Sequence, residues 1–157
     1  MSHTVDPITQ IQAMIDAEPD LSQAPPYVRG MNLSGLRFTA VQPGRFYMEW
    51  TVGAHLTHYD GIVQGGVVNV IADSGQSFAF WTTAQEDESY STAEFTTRFF
   101  RPMKAGQVIR VVSEVVNRSR RLGVIESRFE DKEGGKLCAI VTGTWMPTKR
   151  DFGRHES

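Results

Sequence analysis

At 157 residues the chain is long enough for one domain with a core of its own, and its 40% hydrophobic and 22% charged residues are those of an ordinary globular protein, with no apolar run fit to span a bilayer. A net charge of −2 provides no overall basic field to hold nucleic acid or an anionic membrane, so an anionic ligand has to be met by a local cluster. One cysteine, Cys138, excludes a disulfide framework, and the opening MSHTVDPITQ has neither the basic residues nor the apolar stretch of a secretory signal, which together point to a reducing cytoplasm.

The first predicted element is a short helix. Asp6 suits its cap, Pro7 its first position, and Ile8, Ile11, Met14 and Ile15 fall on one stripe. The stretch PDLSQAPPY (19–27) then reads as a loop. From Leu36 the hydrophobic period becomes two: LRFTAVQ and RFYMEWTV, parted by the turn residues Pro43 and Gly44, form a hairpin that puts Phe46, Met48, Trp50 and Val52 on a core face. A long helix is predicted from about Gly65 to Thr82. Four more extended segments follow, STAEFTTRFF, QVIRVVSEVVNR, LGVIESRFED and KLCAIVTGTWM. Their separators are short, which predicts antiparallel neighbours. From Pro147 the polar tail is expected to fray. Six strands and one principal helix make an α+β domain, organised as a helix and loop over 1–30, a main domain over 31–147 and a polar tail over 148–157.

The long helix is apolar on nearly every side, since Val67, Val68, Val70, Ile71, Phe78, Ala79, Phe80 and Trp81 cannot share one stripe. Such a helix has to be wrapped. The simplest arrangement curls the antiparallel sheet around it and turns its remaining surface toward another chain. One acid, Asp73, sits within this run. A carboxylate in that setting costs several kcal/mol unless it is paired, hydrogen-bonded or solvated by a pocket, and burial tends to raise its pKa, which suits a general base or nucleophile.

The motif GIVQGG (61–66) leading into the helix, Asp73 nine residues after Gln64, the strand TAEFTTRFFRP (92–102) followed by Lys104-Ala105-Gly106, and the turn Arg120-Arg121-Leu122 together resemble the hotdog-fold acyl-CoA thioesterases. The phenylacetate-pathway and 4-hydroxybenzoyl-CoA branches are the most similar, over roughly residues 33 to 146. The resemblance implies a curled sheet around a central helix that carries the acid, Asp73, which attacks the thioester or activates water. It implies that the amide at the helix start, here Gly65, holds the thioester oxygen, and that Thr92 occupies the hydroxyl position that bonds the acid or water. The family has a histidine before the glycine pair and an amide side chain six residues earlier; this chain has Gln64 and His58 in those places, so amide and imidazole are exchanged relative to that pattern. Either the pair keeps its hydrogen-bonding repertoire while trading places, or the activity has drifted. Thr57 competes with His58 for its position.

Elementary geometry leads to a shared site. Amides at a helix start lack intrahelical partners and lie at the positive end of the dipole, so Gly65 N–H is a ready oxyanion donor, and Gly66 lets a ligand approach closely. Gly65 and Asp73 are about 12 Å apart along the helix at ~1.5 Å per residue, whereas both groups must lie within ~3 Å of one carbonyl. Two copies with central helices side by side and antiparallel bring Asp73 of one near Gly65 of the other, so a two-fold homodimer, alone or doubled, is expected to hold two sites.

Coenzyme A brings phosphates, and Arg101, Lys104, Arg120 and Arg121 lie at two turns suited to meet them. No cofactor or metal is expected: His3, His55, His58 and His155 lack ligand spacing. Trp50, Trp81 and Trp145 read as core, and Cys138 as a small buried hydrophobe. Thioester hydrolysis is the favoured activity. A hotdog hydratase or dehydratase, and a non-catalytic acyl-CoA binding module, are the alternatives.

Overall fold

The structure, a computed structural model, describes residues 5–17 and 19–149. His3, His155 and the tail beyond Lys149 lie outside the described residues. Helix α1 spans Pro7–Asp16, with Asp6 accepting the Thr9 amide at its cap and proline in the first turn. Of its predicted stripe, Ile11 is fully buried and Ile15 packs against the core, but Met14 is 47% exposed, because ten residues present only one narrow face to the sheet. The segment expected to be a loop contains a 3-10 turn, Leu21–Gln23, and a short helix α2, Pro26–Gly30. The prolines start α2 rather than preventing it: the first turn of a helix needs no N–H from them.

Six strands follow: β1 Leu36–Gln42, β2 Arg45–Thr51, β3 Glu88–Phe99, β4 Val108–Arg118, β5 Gly123–Asp131 and β6 Leu137–Lys149, with the central helix α3 at Gly65–Trp81 between β2 and β3. They form one antiparallel sheet in the order β1-β2-β4-β5-β6-β3, curled around α3. This is the hotdog arrangement the sequence predicts. Gly44, at φ 72°, makes the β1–β2 turn, and Phe46, Met48, Trp50 and Val52 are all buried against the helix side. Among the described residues no helix is long and apolar enough to cross a membrane.

Two differences from the sequence-based expectation concern the strands. β6 continues past Pro147 to Lys149, held by pairing with Glu88 and Ser89 of β3. The short separator RPMKAG does not join neighbours: β3 pairs with β6, while β4 pairs with β2 and β5. The chain crosses to a non-neighbouring strand instead, because the separator is tied to the loop that leads into α3. Val63 N–H donates to Met103 C=O at 2.8 Å, Ala105 N–H to Gly61 C=O at 3.1 Å, and Gly106 N–H to Val52 C=O at 2.8 Å.

A buried polar chain fixes α3 on the sheet. Gln76, fully buried, donates to Ser127 Oγ (3.1 Å) and Val141 C=O (3.0 Å) and accepts from Trp145 Nε1 (2.8 Å), while Ser127 meets Ser113 at 2.7 Å. Every polar atom of that side chain has a partner, so its burial carries little penalty. Trp50 and Trp145 are core, and Trp81 packs against the core while only partly buried.

Candidate active site

Eight of the 17 residues of α3 are buried: Val68, Ile71, Ala72, Ser74, Gly75, Gln76, Ala79 and Phe80. Asp73 is on the less covered side and is half-buried. The Thr92 hydroxyl donates to its Oδ1 at 2.6 Å, a length typical of a charge-assisted bond to a carboxylate. Thr92 is aimed by a bulge in β3, where the pairing with β6 slips between Thr92 and Glu94. Beside Asp73, the Ser74 hydroxyl meets Tyr27 Oη of α2 at 2.6 Å, which fastens the N-terminal segment to the same stretch of helix.

At the other end of the site, Gln64 holds the cap position with φ −62° and ψ 127° but makes no side-chain cap bond. Its side chain is exposed. Within the described residues the amides of Gly65 and Gly66 donate to nothing, and the first amide taken is that of Val67, by Gln64 C=O at 2.9 Å. A cavity of about 370 Å³ opens at this helix start, lined by Ile62, Gly65, Val68, Phe99 and Phe100, with Arg101 at its polar side. The Phe99 ring would lie 3.4 Å from a Cβ on Gly65, so glycine here keeps the ring and a ligand close to the amide.

His58 sits in a tight turn closed by Gly61 N–H on His58 C=O (2.9 Å), with Gly61 at φ 71°. Its Nδ1 accepts the Asp60 amide at 3.3 Å, and the ring is exposed. The competing hydroxyl of Thr57 donates to Ala54 C=O at 2.7 Å, which leaves it a capping role. His55 is also structural, its Nε2 lying 2.9 Å from Met31 C=O and 3.0 Å from Asn32 C=O.

The four basic residues are exposed but fall into two separate places. Arg101 and Lys104 are beside the helix start, Arg101 donating to Leu137 C=O at 2.8 Å and Lys104 bridging to Ile62. Arg120 and Arg121 are in the turn between β4 and β5, at the opposite end of the 11-residue β4, about 35 Å away at ~3.3 Å per residue. Through the register Arg118–Gly123–Trp145–Thr92, that second turn belongs to the Asp73 end of the molecule. Cys138 is buried, and burial pushes its thiol up, the reverse of what a nucleophile needs.

Sequence reasoning missed one polar pair on the same side of α3. Asn69, four residues before Asp73, accepts a hydrogen bond from the Thr97 hydroxyl of β3. The spacing from Asp73 was a signal for Asn69; nothing local marks Thr97.

A curled antiparallel sheet around one helix defines a hotdog protein, and the acid in mid-helix with the free amides at the helix start is its candidate site. The family model of the thioesterase superfamily matches residues 60–138, half of the chain, and the chain belongs to that superfamily. Among solved structures it is similar to a thioesterase family protein from Silicibacter pomeroyi, at 22% identity over 92% of this chain and 98% of that one, TM-score 0.72. It is also similar to a putative thioesterase, a phenylacetic acid degradation-related protein from Ralstonia eutropha, at 26% identity over 86% and 97%, TM-score 0.70. A third likeness is the smu.793 protein of Streptococcus mutans bound to acetyl CoA, at 16% identity over 73% and 90%, TM-score 0.68. No curated protein matches the chain.

Proposed function

We propose that the protein hydrolyses an acyl-CoA thioester at sites shared between two copies of the chain. The observation that carries this is the pairing of an oriented acid with unengaged amides on one unbroken helix: Asp73 held by Thr92 at 2.6 Å, and Gly65 and Gly66 with free N–H groups eight and seven residues earlier. One helix keeps them about 12 Å apart, so the acid that serves a given Gly65 comes from an antiparallel neighbour. β3 supports this, because its 12-residue outer edge has no partner strand among the described residues while β1, the other edge, lies against α1.

In each site the Gly65 amide polarises the thioester carbonyl and takes the developing oxyanion. The partner's Asp73 then acts by one of two routes with the same atoms. Its Oδ attacks the carbonyl carbon to form an anhydride that water cleaves, or it takes a proton from water as that oxygen attacks. The carbon–sulfur bond breaks in both, and the thiolate leaves and is protonated. His58 and Gln64 border the carbonyl or the water. The separation of the basic residues supports the same antiparallel pairing: Arg101 and Lys104 of one chain, with the partner's Arg120 and the partner's Arg121, flank one site and meet the coenzyme A phosphates. Residues 31–147 form the hydrolytic unit, in a reducing cytoplasm, with α1 and α2 packed against it.

Coupled assays of free thiol over a panel of acyl-CoA compounds test this. Asp73→Asn is expected to lower kcat by 10²-fold or more, in the range of a lost acid–base group. Unchanged turnover in that variant removes the mechanism, saturable binding without thiol release makes the protein a binding module, and a changed acyl chain on an intact thioester makes it a hydratase.

A further inference from the structure

Asn69 stands midway along the shared stretch of α3, four residues after Gly65 and four before Asp73. It is half-buried, and its Oδ1 accepts the Thr97 hydroxyl, which sets the rotamer. Its NH2 donates to no atom of the described residues, although an amide side chain has two donors there and a second lone pair on oxygen. Neither proposed route at the thioester uses this group.

Symmetry says where it lies. In two antiparallel helices related by a two-fold axis, with residue 73 facing the partner's Gly65, each position i faces position 138 − i, since 73 and 65 sum to 138. Residue 69 alone faces itself. We infer that Asn69 sits on the two-fold axis and pairs with the partner's Asn69, so that this amide pair fixes the helix register that brings acid and oxyanion donor together. The inference rests on the shared site proposed above. In that register each NH2 reaches the other chain's free lone pair, while Thr97 keeps both side chains pointing at the axis. A slip by one helical turn moves the acid about 5.4 Å along its neighbour and strands both amides, the means by which a lone asparagine in an apolar helix seam selects one alignment at some expense in stability. Val67 and Val70, which flank the amide, are both partly buried against the core and tolerate other alignments, so the discrimination falls to Asn69.

The test is cross-linking in the full-length chain with Cys138→Ala as background. Asn69→Cys, treated with a short bismaleimide reaching about 8 Å, the spacing of packed helices, is expected to link most chains in pairs. Ser77→Cys, eight residues from the axis, places its two thiols about 24 Å apart along the helices and is expected not to link. As a second measure Asn69→Asp, which sets two carboxylates face to face, is expected to weaken the dimer at least tenfold in low salt by sedimentation. Linking through Ser77→Cys instead of Asn69→Cys, or an unaltered dimer in Asn69→Asp, overturns the inference while leaving a dimer in place. A wild-type chain that sediments as a monomer sinks the shared site itself.

Discussion

Thr92 shows how one hydroxyl aims a half-buried acid. Its Oγ1 donates to one oxygen of Asp73 at 2.6 Å, leaving the other oxygen and the remaining lone pairs for water or a carbonyl carbon. The β-branched side chain has a restricted χ1, and the bulge after Thr92 tilts it toward α3 rather than along the strand. Thr92→Val keeps that shape and removes the donor. We expect kcat to fall about tenfold with KM nearly unchanged, the signature of an acid misplaced by about one hydrogen bond's worth of energy. Thr92→Ser should restore most of the rate in the same steady-state assay, and a Thr92→Val enzyme with normal kcat would make the contact incidental. Asp73 was legible because an acid in an apolar run is rare, and Thr92 through its family likeness. Asn69 was only half legible: its four-residue spacing from Asp73 is a signal, but its partner Thr97 lies 28 residues away in sequence.

At the scale of the element, the position of α3 decides where both ends of the site fall, and glycine opposite the helix decides that position. A Cβ on Gly143 of β6 would lie 1.9 Å from Gln76 Oε1 and 3.0 Å from the Phe95 ring. On the helix itself a Cβ on Gly75 would lie 2.6 Å from Ser113 Oγ and 2.8 Å from Met48 Cε. The helix therefore comes closest to the sheet at two bare backbone positions, beside the Gln76 amide. Gly143→Ala is expected to cost about 2–3 kcal/mol by overpacking and by dislodging the bonds of Gln76, read as a lower midpoint in denaturant with an unchanged m-value. A variant as stable as the wild type would show that the helix has slack. The helix bounds were almost fully legible, predicted to Thr82 and found to Trp81, since an apolar stretch between a glycine pair and a polar turn has clear limits. The strand order was not. Separator length predicts neighbours only when nothing else claims the separator, and here the backbone of Met103–Gly106 is bonded to the approach to α3 and to Val52.

At the scale of the whole molecule the question is whether one chain or two make a site, and complementary variants answer it. Gly65→Pro removes the proposed oxyanion N–H while suiting the first helical position. Gln64 before it already has the extended φ −62° and ψ 127° that a following proline requires. The nearest obstacle to the ring is Phe99, 3.4 Å from the new Cβ, a half-exposed side chain with room to move. Gly65→Pro and Asp73→Asn are each expected to be inactive alone, because both sites of either homodimer lack one group. In a mixed dimer one site lacks both groups and the other lacks neither: it takes Gly65 from the Asp73→Asn chain and Asp73 from the Gly65→Pro chain. Random re-pairing of equal amounts makes half the dimers mixed, each with one of two sites intact, so about a quarter of wild-type activity should return. A site confined to one chain predicts no recovery at any mixing ratio, since neither chain then carries both groups. The same mixture separates the basic clusters. Charge removal at Arg120 and Arg121 in the Gly65→Pro chain should raise KM at the recovered site, whereas the same change in the Asp73→Asn chain should leave KM alone, because only the chain that lends the acid lends that turn.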